Sequence, residues 1–476
     1  AVLAEIRDRD TPEKWREIGF TPEAHAVLYG IGLAPVMRLE LADPQAFRAM
    51  LGRVEAKTGE KLAVAKIGEQ EYWRLGPADA PLSGMLALEG RQLVLALAPK
   101  GAPDATLRQL LGLDRPAKSL AASGALERLN QERGYLAYGS GYVDLTRIAQ
   151  ILSTPLQGSD ADFARALDAK DADLDPTCRA EIAGIAAKAP RLTFGATRLD
   201  AQEQTFVTEL ELDPALREQM KSLAQPLPGM AADDKALADM ALAVPVLKWK
   251  DFLLKQANAV TASPYRCGKL ASLNTGMAEL KTSLERTVPP PFSNILGLRV
   301  TLDRFALDAN GMPDTKQLAM RVLIASDNPL LIVSMAQLAV PDLKDIKLAT
   351  DGKPVQLPAP SALPDRKIFA ASSTGALALA IGDDAEAAVG AYLAAPAGDG
   401  RMLLHLRFSG EIYGLYAQFF DKLAPKGDPQ QTAFLDIQRQ MYARYREWMD
   451  YGDVSVELGE RGLRTAQHVR YRAPTP

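Results

Sequence analysis

The side chains that exchange protons, attack carbonyls or hold metals are sparse in this sequence. Its three histidines are His25, His405 and His468. No two are close in sequence, and none stands in a cluster of carboxylates and cysteines. A zinc site takes three or four ligands, usually at short spacings. His405 falls in the apolar run Leu403 to Phe408 and reads as a structural histidine. His468 alternates with Arg464, Arg470 and Arg472 and reads as solvated. His25 follows Thr21-Pro22-Glu23 in a helix-like segment. Nucleophile motifs are missing as well. No G-x-S-x-G elbow occurs, and Gly139-Ser140-Gly141 has the wrong spacing and a strand-like setting. There is no S-x-x-K, no G-x-x-x-x-G-K phosphate loop and no strand-linked G-x-G-x-x-G. The acidic run Asp171-Ala172-Asp173-Leu174-Asp175 resembles the start of a calcium loop. That loop needs Gly at its sixth position and Glu at its twelfth, where this chain has Pro176 and Ile182. The run therefore reads as a helix start, with Asp175 as N-cap and Pro176 in the first helical position. No catalytic, cofactor-binding or metal-binding residue is assigned, and no cofactor is expected.

Two cysteines remain, Cys178 and Cys267. An even pair in a large chain is consistent with one structural disulfide and an oxidising compartment. Two unrelated buried thiols are the alternative. Both lie where helical patterns open, after Asp175-Pro176-Thr177 and after Pro264-Tyr265-Arg266.

The bulk of the chain is ordinary for a globular protein. It has 476 residues, 47% of them hydrophobic and 24% charged, room for two to four domains at roughly 100–200 residues each. The formal net charge is −4, and there is no block of like charge. That excludes a nucleic-acid binder, which needs a basic footprint. No run of about 18 apolar residues exists to form a transmembrane helix. The first residue is Ala1, so export would need a signal peptide that lies outside this sequence.

The elements repeat. Val36 to Leu41 reads as a strand, and Asp43-Pro44 opens a helix with Phe47, Met50, Leu51 and Val54 on one face. A hairpin around Gly68 joins Leu62-Ala63-Val64 to Glu71–Leu75. A second, turning at Glu89-Gly90-Arg91, joins Gly84–Leu88 to Leu93–Leu97. A helix over 105–111 closes the unit. The same order recurs from Leu318: a strand to Ala325, then Ser326-Asp327-Asn328-Pro329, then a helix with Leu331, Met335 and Leu338. Strands follow at 346–348, 354–357, 367–371 and 377–381, then a helix over 385–393. Beyond it, Tyr135–Asp144 corresponds to Met402–Gly410. The hairpin of Arg191–Gly195 with Thr205–Leu210 corresponds to Asp453–Leu458 with Leu463–Ala466. The fold class is α+β, with two tandem copies of a strand-helix-hairpin-hairpin-helix unit. Its hairpin-length connections imply mainly antiparallel sheets. The copies are 1–225 and 230–476, joined at Gln225-Pro226-Leu227-Pro228-Gly229. In this alignment Asp43 falls opposite Asp327. The second copy also has a strand at Met240–Val244 and a helix over 247–260, whose counterparts fall before Ala1. The chain is therefore expected to begin inside its first copy, with the missing strand, helix and export signal upstream.

Phe434, Ile437, Met441, Tyr445 and Trp448 recur at helical spacing and form one face. That face reads as core or inter-domain packing. The functional alternative is a wall of an apolar pocket or a docking surface. Arg439, Arg444 and Arg446 lie off the stripe and read as a plain solvated face; peripheral contact with phospholipid head groups is the alternative.

Gly19-Phe20-Thr21-Pro22-Glu23-Ala24, Tyr29–Val36 and Leu39–Pro44 together resemble uncharacterised exported bacterial proteins of domain-of-unknown-function families. Many of those are outer-membrane or periplasmic lipoproteins. The likeness covers roughly the first third of the chain and is a fold signature. It implies a periplasmic or outer-membrane-associated location and brings no catalytic residues; the lipid-bearing cysteine of such lipoproteins is not in this chain. The expected function is a non-enzymatic envelope protein that binds a protein partner or an apolar ligand. A lipid or lipoprotein carrier with an apolar cavity and a carboxylate-based hydrolase with a dispersed site are the alternatives.

Overall fold

The computed structural model describes the chain except residues 1–4, 7–8, 10, 78, 117–118, 168–173, 230–235, 309–310, 424–428 and 474–476. Residue contacts gather it into two units, Ala1–Ala125 with Thr146–Gly184 and Leu126–Leu145 with Ile185–Pro476.

The first unit is built on a six-stranded antiparallel sheet. Its strands are β1 (Ala26–Ile31), β2 (Ala34–Glu40), β3 (Ala63–Ile67), β4 (Gln70–Leu75), β5 (Leu82–Glu89) and β6 (Gln92–Pro99), in the order β1-β2-β6-β5-β4-β3. Helix α1 (Pro44–Thr58) forms where the sequence signals it. The Asp43 carboxylate accepts the Gln45 and Ala46 N–H groups, Pro44 opens the first turn, and Gly59 at φ +73° ends the helix. Phe47 and Met50 of α1 bury against Leu41, Trp73, Leu86 and Leu93 on one face of the sheet. Helix α2 (Asp104–Leu111) lays Leu107, Leu110 and Leu111 on the other, against Val36, Met85 and Val94. Gly19 lets the chain pass α1 closely. A Cβ there would lie 2.4 Å from the Asp43 carbonyl oxygen, and its φ is +89°.

The second unit is built on a twelve-stranded antiparallel sheet. From the first half of the chain come β7 (Ser140–Asp144), β8 (Arg191–Leu199) and β9 (Glu203–Glu211). Helix α3 (Pro176–Lys188) precedes β8. From the second half come β10 (Ala238–Ala243), β11 (Ile295–Arg304), β12 (Ala319–Ser326), β13 (Val355–Leu357), β14 (Ile368–Ser372), β15 (Ala376–Ile381), β16 (Met402–Ser409), β17 (Met449–Leu458) and β18 (Gly462–Tyr471). The spatial order is β13-β14-β15-β12-β11-β10-β16-β17-β18-β9-β8-β7. Helix α4 (Val246–Ala262) follows β10, α5 (Pro329–Ala339) follows β12, and α6 (Ala385–Leu393) follows β15. Val389 and Tyr392 of α6 pack on Leu323, Ala325, Phe369 and Ala378 in a tight core of small residues. The halves 1–225 and 230–476 are thus not the compact units, because β7–β9 share a sheet with the second half.

The strand orders of the two halves agree closely. β1-β2-β6-β5-β4 in the first unit matches β11-β12-β15-β14-β13 in the second. Two details of the expected alignment change. Residues 346–348 form no strand, so β3 has no counterpart. The helix caps are Asp43-Pro44 and Asn328-Pro329, so Asp43 matches Asn328 rather than Asp327.

Cys178, in the first turn of α3, and Cys267 are both disulfide-bonded. With only two cysteines in the chain, each is the other's partner.

Candidate functional site

Side chains alternate between the faces of a strand, and β11, β10, β16 and β17 use that alternation to separate two chemistries. Register sets Arg321, Thr301, Asp239, Arg407, Asp453 and His468 opposite one another on six neighbouring strands. They form a polar row across one face. The residues between them, Val300 and Leu302 of β11, Met240 of β10, and Leu406 and Phe408 of β16, turn to the other face.

The polar row is closed by ion pairs. Asp239 accepts from Arg299 Nε at 3.0 Å and from the Thr301 hydroxyl, and all three side chains are buried. Arg299 also donates to the Gly229 carbonyl at 2.6 Å. The Tyr392 ring of α6 lies 4.7 Å from Arg299 and 4.8 Å from Arg321, between two guanidinium groups. Its hydroxyl is 2.8 Å from Thr301 Oγ1, and burial pushes its pKa well above the ordinary tyrosine range. Further along, Asp453 takes a hydrogen bond from Arg407 at 2.9 Å. His405 Nε2 lies 3.5 Å from the same carboxylate and His468 Nδ1 3.3 Å from it. Burial raises the Asp453 pKa, but His405, Arg407 and His468 together outweigh it and hold it below the usual range. Nδ1 of His405 is buried without a hydrogen-bond partner among the described residues.

The apolar face forms a groove of about 360 Å³. Met240, Val300, Leu302, Leu406 and Phe408 make its floor. Ile412, Tyr413 and Tyr416 of helix α7 (Ile412–Leu423) make its wall. Asp239 and Arg407 also border the groove, but strand alternation turns their side chains toward the reverse face. Gly452 opens room for Phe408; a Cβ there would lie 2.8 Å from its ring. Helix α8 (Pro429–Trp448) packs on α7 through Tyr442, which stacks on Tyr413 at 5.9 Å and on Phe420 at 5.6 Å. Burial among these neighbouring tyrosines raises the Tyr413 pKa.

The stripe on α8 is not packed as expected. Phe434, Ile437, Met441, Tyr445 and Trp448 are exposed, from 39% at Tyr445 to 58% at Phe434. Helix α8 meets α7 through the neighbouring face that carries Tyr442 and through Tyr445, whose ring lies 5.2 Å from Tyr413, which leaves the rest of the stripe outside. Tyr416 and Phe419 of α7 are also exposed, and Tyr416 joins this apolar surface to the groove. The arginines beside it are paired: Arg439 with Asp436, Arg444 with Glu447, Arg446 with Glu411.

The other singled-out residues fall as follows. His25 lies in the turn before β1, not in a helix, fully in solvent with Glu40 at 2.9 Å. His468 is half-buried rather than solvated. Ser140 lies in β7. Asp175 caps α3 by accepting the Cys178 N–H at 2.8 Å, while Asp171 and Asp173 lie outside the described residues. Among the described residues, no group of three or more His, Cys, Asp or Glu side chains is placed to hold a metal ion, and no helix is long and apolar enough to cross a membrane. Sequence reasoning missed the meeting of His405 and His468 on Asp453. The one signal available was that all three occupy strand-like runs.

No protein-family model, no curated protein and no solved structure matches this chain.

Proposed function

We propose that this is a non-enzymatic protein of the bacterial cell envelope, periplasmic or outer-membrane-associated, that binds an apolar ligand in the groove between the β10–β11–β16 sheet face and α7. The observation that carries the reading is the lining: nine of the eleven residues around about 360 Å³ are apolar or aromatic, within the usual size of small-molecule sites. The disulfide of Cys178 and Cys267 supports the location, since such bonds persist in oxidising compartments. The resemblance of the first third to exported bacterial proteins points the same way. A carboxylate hydrolase is disfavoured, because Asp239 and Asp453 are each held by arginine and neither faces the groove.

The same reading takes the chain as a tandem duplication. The matching strand orders support it, and so does the seam between the halves. β9 pairs with β18 so that Val207 faces Ala466, Glu203 faces Arg470 and Glu211 faces Gly462. The two hairpins superpose turn on turn when Leu199 is set on Leu458, and Val207 then corresponds to Ala466. The seam is an antiparallel pairing of equivalent strands about a local two-fold axis, the isologous arrangement of a symmetric dimer.

Titration with the fluorescent apolar probe N-phenyl-1-naphthylamine tests the groove. Saturable binding at one site is expected, weakened several-fold by Tyr416→Ala, which opens the wall, and by Met240→Trp, which fills the floor. No saturable signal, or equal binding by both variants and the parent, rejects the reading. The exposed α8 stripe favours a second reading, in which a protein partner docks there.

A further inference from the structure

We propose that the outer edge of β1 is a strand-acceptor site, which takes an extended apolar strand in antiparallel register as β11 takes β10. The inference rests on the first unit itself and on the comparison of β1 with β11, and does not depend on the groove.

The helix caps fix the comparison. With Asp43-Pro44 set on Asn328-Pro329, Arg38 of β2 matches Leu323 of β12. Their partners across the ladder are Val27 and Arg299. Leu28 therefore matches Val300. Main-chain direction agrees. The Glu40 N–H donates to the His25 carbonyl at 2.9 Å, so the odd residues of β1 bond β2. Ala26, Leu28 and Gly30 then turn their N–H and C=O groups outward. On β11, the Val244 N–H donates to the Leu296 carbonyl at 2.9 Å, so Leu298, Val300 and Leu302 face β10. These are the residues that match Ala26, Leu28 and Gly30.

The two edges differ in what covers them. Arg299 is 2% exposed beneath the sheet that β10 completes, whereas Val27 is 48% exposed and Leu28 73%. An open edge is a template for another strand, and proteins guard such edges with lysine, proline or charge. β3, at the far edge of the same sheet, carries Lys66. β1, with the sequence AVLYGI, carries no such guard. The occupant is a strand of β10's chemistry, uncharged and apolar where it meets Leu28, since Met240 stands opposite Val300. Such pairing draws affinity from the main chain and selectivity from alternate side chains.

The test uses the whole chain and a fluorescein-labelled peptide with the sequence of residues 238–244, flanked by lysines for solubility. Saturable anisotropy at a one-to-one ratio is expected, with slowed hydrogen exchange in residues 26–30. Leu28→Pro removes an outward N–H at an edge position that tolerates proline and is expected to weaken binding about tenfold. Val27→Lys, a surface change that leaves the backbone intact, should weaken it as well. No saturation up to about 1 mM, or unchanged binding in both variants, overturns the proposal. A dimer of the chain that Leu28→Pro dissolves also overturns it, because the edge then belongs to a second copy.

Discussion

Asp453 concentrates the chain's scarce chemistry, since two of the three histidines and Arg407 meet on its carboxylate. Its pKa is held below the ordinary aspartate range, so the folded state favours the charged form. That contribution is present above the unfolded aspartate pKa and is lost as pH falls through the folded value. Asp453→Asn should therefore destabilise the protein at neutral pH, by roughly 3–5 kcal/mol for a largely buried pair left with one partner. Urea midpoints from pH 7 downward check it: the gap between parent and variant should narrow as pH falls below the ordinary aspartate range and through the folded value, and a gap that stays constant over the whole acid range would rule out the charge as cause. Asp239→Asn offers a second case. It leaves Arg299 buried against a neutral amide, so a loss of similar size, about 3–5 kcal/mol, is expected at pH 7. A midpoint shift near zero would show that the Gly229 carbonyl and the Tyr392 ring suffice for Arg299. None of these meetings was legible in the sequence. Alternation gives the face each residue takes on its own strand, but only the register between distant strands puts Asp239 beside Arg407 and Asp453 beside His468.

Helix α8 shows where periodicity stops informing. The spacing of Phe434, Ile437, Met441, Tyr445 and Trp448 gives the helix and its apolar face correctly, because both follow from the repeat of the α-helix. It cannot say what meets that face. The packing runs through Tyr442 beside the stripe and Tyr445 at its edge, and neither tyrosine carries a sign in the sequence of its partner in α7. The two arrangements predict different energetics. If the stripe were core, Met441→Ala would cost about 2–5 kcal/mol. With the stripe exposed, Met441→Ala and Ile437→Ala should each change stability by less than about 0.5 kcal/mol. Tyr442→Ala should cost several times more, having lost its ring contacts with Tyr413, Tyr416 and Phe420. Chemical denaturation of the three variants separates the cases, and a large loss for Met441→Ala would mean that the stripe is covered in solution. Legibility was better where local rules act alone. Asp43 with Pro44, Asn328 with Pro329 and Asp175 with Pro176 each start a helix, while residues 346–348, whose strand was inferred only from its place in the repeat, form none.

At the scale of the whole molecule, two long-range ties stand out: the β9–β18 seam and the disulfide. The matching strand orders of the two halves were readable because most elements keep their order along the chain. The seam was not, because nothing in one strand states which edge it will meet. Nor does the sequence show that β7–β9 join the second unit's sheet, since the Pro226–Gly229 linker marks a break in local pattern and not in tertiary contact. The disulfide is the tie whose energy can be estimated. It closes a loop of about 90 residues, and in the chain-entropy account such a loop destabilises the unfolded chain by roughly 4–5 kcal/mol. Replacing both cysteines by serine should lower the urea midpoint by a corresponding amount. Binding of N-phenyl-1-naphthylamine by the folded protein should not change, because neither cysteine lines the groove. The double variant is the proper comparison, since a single one leaves a free buried thiol with its own reactivity. An unchanged midpoint would mean that the unfolded ensemble already keeps these residues together. A lost binding signal with a normal midpoint would instead tie the groove's shape to the bond.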